Sequence, residues 1–133
     1  MSTFPLEIVT PDGEFFRGEA QSLTVRTVDG DVGILAGHAD YVTALGMGMA
    51  KLNIDGQVRT AACIGGLLMV SGGSVRLVAT TFEWSETIDV ARAKASAARA
   101  RLVLDNREKH TASEITLAEA RLKRALVRTG AAK

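Results

Sequence analysis

The sequence predicts an α+β chain. An N-terminal antiparallel β-sandwich, or flattened barrel, spans residues 1–84, and a C-terminal antiparallel two-helix hairpin spans residues 85–133. Three observations carry this. Twelve of the 13 glycines precede Trp84, the last being Gly130. No proline follows Pro11. Beyond Glu83-Trp84 alanine, arginine and lysine dominate. Glycine-punctuated β-branched runs read as short strands joined by tight turns. Residues that lose little entropy in a helix read as helix. The two textures follow one another without interleaving, so two modules are expected.

In order, Phe4 to Thr10 alternates and stops at Pro11-Asp12-Gly13, a strong turn signal. Gln21 to Val28 alternates, with Leu23 and Val25 set against Thr24, Arg26 and Thr27, and stops at Asp29-Gly30. Met49–Ile54 and Gln57–Ile64 flank Asp55-Gly56, the best hairpin signal in the chain. Leu67–Val70 and Val75–Thr80 flank Ser71-Gly72-Gly73-Ser74, a second hairpin. No helix-length pattern separates these strands, which disfavours a parallel βαβ sheet.

From Ile88 the apolar and alanine positions run 88, 91, 95, 98 and 102, a single helical stripe. Asn106 to His110 is a polar connector. Thr111 and Glu114 then make a capping box, and Ile115, Ala118, Leu122 and Ala125 repeat the stripe. Alanine-rich stripes bury little area at roughly 25 cal/mol per Å², so the helices hold each other weakly and the hairpin is able to open.

Composition bounds the chemistry. Apolar residues make up 47% of the 133, enough for a core. There is no apolar run of about 20 residues, as a spanning helix needs. Met1 to Pro5 lacks a basic and then apolar opening, so no secretory signal is expected. The single Cys63 reads as a small buried hydrophobe. The net charge of +1 conceals a split. Residues 1–84 carry five Lys/Arg against nine Asp/Glu, and residues 85–133 carry eleven against six. Such asymmetry implies that the two parts face different surroundings, or that the second seeks an acidic partner.

Catalytic and metal-binding groupings do not stand out. His38 is the one histidine of the first module and has no Ser-His-Asp or Cys-His company, so it reads as a structural or contact residue. Gly30, Gly33 and Gly37 are too loosely spaced for a phosphate loop and read as turn glycines. Arg92 and Arg99 are seven apart, while Arg121, Arg124 and Arg128 recur every three or four residues. Each set is a solvated basic face or an anion site, since guanidinium forks suit phosphate. Asp89 stands three residues before Arg92 and is placed to accept from it.

Gly30 to Ala39, with Val42-Thr43-Ala44-Leu45 and the opening Leu6 to Pro11, resembles the epsilon subunit of bacterial F-type ATP synthases. Ala36 and Asp40 depart from it, standing where many members have proline or an apolar residue. The resemblance runs from about residue 4 to residue 128. It implies a non-catalytic rotor subunit in the central stalk, bound to the gamma subunit and the rotor-ring c subunits, with Asp31 and His38 at the partner contact. It also implies a hairpin that restrains ATP hydrolysis by extending toward the catalytic beta and alpha subunits. The implied location is peripheral, at the cytoplasmic face of the cell membrane.

Ile88-Asp89-Val90-Ala91-Arg92-Ala93 resembles the segment associated with ATP binding in such subunits, and Lys123 to Arg128 the segment that supplies further arginines. By resemblance the site comprises Glu83, Ile88, Asp89, Arg92, Ala93, Arg99, Arg124 and Arg128. It would hold a regulatory ATP, with or without magnesium, and no cofactor would be required. The alternative is a β-domain adaptor with a nucleic-acid-binding tail. Residues 107–133 carry seven Lys/Arg against three Asp/Glu, but the second module has no aromatic residue to stack bases.

Overall fold

The computed structural model describes residues 2–132; Met1 and Lys133, the ends of the two predicted modules, lie outside the described residues. Eight strands come first: β1 (Phe4–Thr10), β2 (Gly13–Ala20), β3 (Ser22–Thr27), β4 (Gly30–Leu35), β5 (Tyr41–Ala44), β6 (Met47–Ile54), β7 (Gln57–Ser71) and β8 (Ser74–Trp84). Two helices follow, α1 (Val90–Asp105) and α2 (Ala112–Ala131), with 3₁₀ turns at Ser85–Thr87 and Arg107–Lys109.

The strands form one sheet in the order β2-β1-β8-β7-β6-β3-β4, with β5 also paired to β7. It folds over on itself and does not close into a barrel. All pairings are antiparallel except one: β1 runs parallel to β8, from Leu6 opposite Val75 to Val9 opposite Val78. Side chains from both halves meet in one core. It includes Leu6 and Ile8 of β1, Leu23 and Val25 of β3, Leu52 of β6, and Leu68 and Leu77 of β7 and β8. Cys63 is buried in it, and burial pushes its thiol up to about 12, so the thiol stays protonated near neutrality.

The folding-over happens at Gly65-Gly66. The sequence predicts two strands on either side of these glycines, but the structure makes them one 15-residue strand, β7. Before the glycines the inward residues are Ala61 and Cys63; after them they are Leu68 and Val70. The alternation has slipped by one residue, so the strand turns its other face to the core. Gly65 and Gly66 have φ of 67° and 112°. Opposite them, Leu45 N donates to Gly66 O at 2.9 Å and Gly65 N to Gly46 O at 3.0 Å. The slip leaves Ala62 and Ile64 facing out, toward the helices.

Gly33 is not a turn glycine: it sits inside β4, paired with Thr24. Gly30 and Gly37, with φ of 116° and 81°, do turn the chain. The capping box of α2 forms as expected, with Thr111 and Glu114 bonding each other's backbone N–H. Glu114 also meets His110 Nδ1 at 2.9 Å, and these hydrogen bonds hold its carboxyl below the usual carboxylate range.

The stripe predicted for the first helix is on the wrong side. Ala93, Ala97 and Ala100 are buried, whereas Ala91, Ala95, Ala98 and Leu102 are exposed. On α2, Ala118 and Ala125 are buried and Ile115 and Leu122 half-buried, as the sequence predicts. The hairpin is closed and lies on the outer face of β6 and β7. Ile88, Val127, Ala131 and Ala132 seat it around Ala62. At its base the Arg59 guanidinium stacks 3.7 Å from the centroid of Trp84 and bonds Glu86 at 2.8 Å.

Among the described residues, none beyond Trp84 belongs to the main core. We therefore propose that the sandwich is a folding unit of its own. A chain ending at Thr87 is expected to melt cooperatively with a β-type circular dichroism spectrum. A disordered spectrum would refute this.

Candidate functional site: an arginine-lined cleft

Where α1 and α2 cross the sandwich they enclose a cleft of about 430 Å³. Its floor is Ile64 of β7 with Thr81 and Glu83 of β8. These three face outward because of the slip at Gly65-Gly66 and its counterpart in β8, whose inward residues change from Val75, Leu77 and Ala79 to Phe82. Arg92 and Ser96 enter from α1, one turn apart. Arg121, Arg124, Ala125 and Arg128 enter from α2, their spacing of three and four placing them on one face.

The electrostatics are one-sided. Four arginines face one carboxylate, Glu83. Arg128 is bound to it by both arms, Nε to Oε2 at 2.7 Å and a terminal nitrogen to Oε1 at 3.0 Å. Arg92, Arg121 and Arg124 have no carboxylate within ion-pair distance among the described residues. Three guanidinium forks without counter-charges around a cleft of this size make a site for a polyanion.

The predicted residues divide. Glu83, Arg92, Arg124 and Arg128 line this cleft together. Arg99 lies two turns beyond Arg92, about 10 Å along the helix. It lines a neighbouring groove of about 260 Å³ with Arg121, Val103 and Leu117. Ser96 and Arg121 border both spaces. Asp89 caps α1: its Oδ1 accepts from the backbone N of Arg92 at 3.0 Å, not from the guanidinium. Ile88 and Ala93 are buried, Ile88 against the sandwich and Ala93 in the helical layer. Arg121, read with Arg124 and Arg128 as a basic face or an anion site, lines the cleft with them. Ile64, Thr81 and Ser96 line it unforeseen. For Ser96 a signal exists, since it is one turn from Arg92. For Ile64 and Thr81 there is none short of the fold.

Asp31 and His38 lie far along the chain from this cleft, on edge strand β4 and the turn after it. Asp31 pairs with Arg26 Nε at 3.0 Å across the β3–β4 ladder. His38 Nδ1 lies 2.7 Å from the Ala39 carbonyl, and its ring is 5.8 Å from that of Tyr41. Most of the stretch from Gly30 to Ala39 is therefore strand, Gly30–Leu35 forming β4. No group of His, Cys, Asp and Glu among the described residues is placed to hold a metal. Among the described residues no helix is long and apolar enough to cross a membrane.

Comparison with known proteins agrees with this architecture. Residues 3–85 match the family described as ATP synthase, Delta/Epsilon chain, beta-sandwich domain. The ATP synthase epsilon chain of Ruminococcus albus is 44% identical, over 99% of this chain and 98% of that one. That of Bacillus velezensis is 40% identical, over 96% of each. Among solved structures, a chain of the Euglena gracilis mitochondrial ATP synthase superposes with a TM-score of 0.85. It covers 98% of this chain and 82% of its own, and at 21% identity it supports the fold alone. The chain therefore belongs to the ATP synthase delta/epsilon family, as an epsilon-type subunit that is not itself a catalyst.

Proposed function

We propose that the chain is the central-stalk epsilon subunit of a proton- or sodium-translocating F-type ATP synthase. It couples rotor-ring rotation to the catalytic head and restrains ATP hydrolysis through its hairpin. The sandwich docks on the gamma subunit and the rotor-ring c subunits, with Asp31 and His38 at the contact. The opened hairpin reaches the beta and alpha subunits. The chain is peripheral at the cytoplasmic face of the membrane. A structure of similar fold, with a TM-score of 0.62, comes from the central stalk and c-ring of the Tetrahymena thermophila enzyme, which is in keeping with this place.

One observation carries the regulatory part. The arginine cleft draws its walls from the sandwich, α1 and α2 at once. It exists only while the hairpin is closed. A ligand shifts an equilibrium only through its difference in affinity for the two states. ATP bound there must therefore favour the closed hairpin. At 100 times its dissociation constant it would add about 2.7 kcal/mol to closure. Arg92, Arg121 and Arg124 would hold the phosphates, while Ile88, Asp89 and Ala93 shape the start of α1 beside them.

The assembly part is tested by purification. Tagged full-length chain, expressed in its own cells, is expected to bring down a membrane-bound ATP synthase complex. Recovery of the chain free of that complex would refute the stalk assignment.

A further inference from the structure

We infer that Glu83 is a resident competitor for the arginine cleft: its carboxylate holds Arg128 when the cleft is empty and gives way to phosphate when it fills. The inference rests on the polyanion reading of the cleft. Its first half can also be tested without any ligand.

Among the described residues Glu83 is the one carboxylate lining a cleft of four arginines. A carboxylate beside a polyphosphate repels it, so Glu83 is a poor phosphate contact. Yet it engages both arms of Arg128, at 2.7 and 3.0 Å, with its side chain 29% and that of Arg128 22% exposed. A two-armed guanidinium–carboxylate pair has the geometry in which a guanidinium grips a phosphate. The two partners are 45 residues apart and belong to different modules, β8 of the sandwich and α2 of the hairpin. The pair therefore links hairpin to sandwich within the cleft itself. Phosphate gripping Arg128 by the same two arms takes the place of Glu83 and breaks the bond that links hairpin to sandwich. That bond makes the closed state persist without ligand and lowers the affinity of the cleft. An ion pair that solvent still reaches contributes modestly, so the effects are of a few fold.

The test uses Glu83→Gln in the full chain, which removes the charge and keeps the shape. Without ligand, hydrogen exchange in the last two turns of α2 is expected to quicken about 3- to 10-fold, with β3 and β4 unchanged. Arg128→Lys, which keeps the charge and loses the fork, is expected to do the same. Inorganic tripolyphosphate, which lacks a base, is expected to bind Glu83→Gln about 3- to 10-fold more tightly than wild type by calorimetry. Unchanged exchange in both variants overturns the inference. In a protein that binds ATP, unchanged or weaker tripolyphosphate binding to Glu83→Gln overturns it as well. If wild type binds neither ATP nor tripolyphosphate, the polyanion reading fails instead, and exchange alone decides whether Glu83 latches the hairpin.

Discussion

Gly66→Ala is expected to lower the melting temperature of the sandwich by roughly 10 °C or more. A Cβ at this position would stand 1.8 Å from the carbonyl oxygen of Val78 and 2.9 Å from the Cα of Ala79. Both are backbone atoms of the paired strand, so no side-chain rotation relieves the clash. The φ of 112° also lies where residues with a side chain rarely go. Strain of this kind and overpacking each cost roughly 1–3 kcal/mol. Together they take about 2–6 kcal/mol from a stability that is itself about 5–15 kcal/mol. For a domain of this size each kcal/mol shifts the melting temperature by about 4–8 °C. Thermal melting followed by circular dichroism checks it. Gly130→Ala is the contrast. Gly130 lies in α2 with nothing within 4 Å of an added Cβ, and alanine there is expected to stabilise the helix by up to about 1 kcal/mol. Equal melting temperatures for Gly66→Ala and wild type would mean that β7 does not turn over at these glycines.

The second large effect concerns ligand. Arg92→Ala is expected to weaken ATP binding by the isolated chain about 10- to 150-fold, the equivalent of one lost charge-assisted hydrogen bond of about 1.5–3 kcal/mol. Arg92 enters the cleft from α1, opposite the three arginines of α2. Its loss leaves phosphate held from one helix only, so hairpin closure would also be coupled less strongly to nucleotide. Arg99→Ala, in the neighbouring groove, is expected to have a smaller effect. Arg107→Ala, whose guanidinium stands 3.5 Å from Glu119 in the connector region, is expected to have none. In the assembled enzyme, Arg92→Ala should leave ATP less able to relieve inhibition. Calorimetry decides, and equal affinities for Arg92→Ala and wild type would remove nucleotide from the regulatory account.

Much of this is legible in the sequence, and the failures have physical reasons. The hairpin at Asp55-Gly56 and the capping box at Thr111 are local, because their signal and their structure involve the same few residues. The break at Trp84 is equally plain. The inner face of α1 is not, because Ala91, Ala95 and Ala98 have the same spacing as Ala93, Ala97 and Ala100. Periodicity gives the repeat of a helix, but its phase depends on which stripe the partner covers, and alanine on both sides leaves that undecided. The continuity of β7 is hidden for another reason. Gly65-Gly66 has the composition of a turn, and only pairing with Leu45-Gly46 on one side and β8 on the other keeps the chain extended through it. Four of the cleft residues were legible as arginines and one glutamate in recognisable segments. The floor at Ile64 and Thr81 was not, since it depends on which way two strands face after their slip.

The parallel pairing of β1 with β8 has a consequence for how the chain is made. Leu6 and Val75 become neighbours, although some 70 positions of chain lie between them. A sheet completed by so distant a contact folds slowly, because the loop must be gathered before the contact rewards it. During synthesis β1 leaves the ribosome first and has only β2 to pair with until β8 follows. The helical hairpin emerges next, directly behind the strand that completes the sheet. Its helices are local and form fast, yet the surface they rest on is complete only once that last strand is in place. The helical hairpin therefore cannot settle before its platform has folded, and the order of the two events is written into the connectivity.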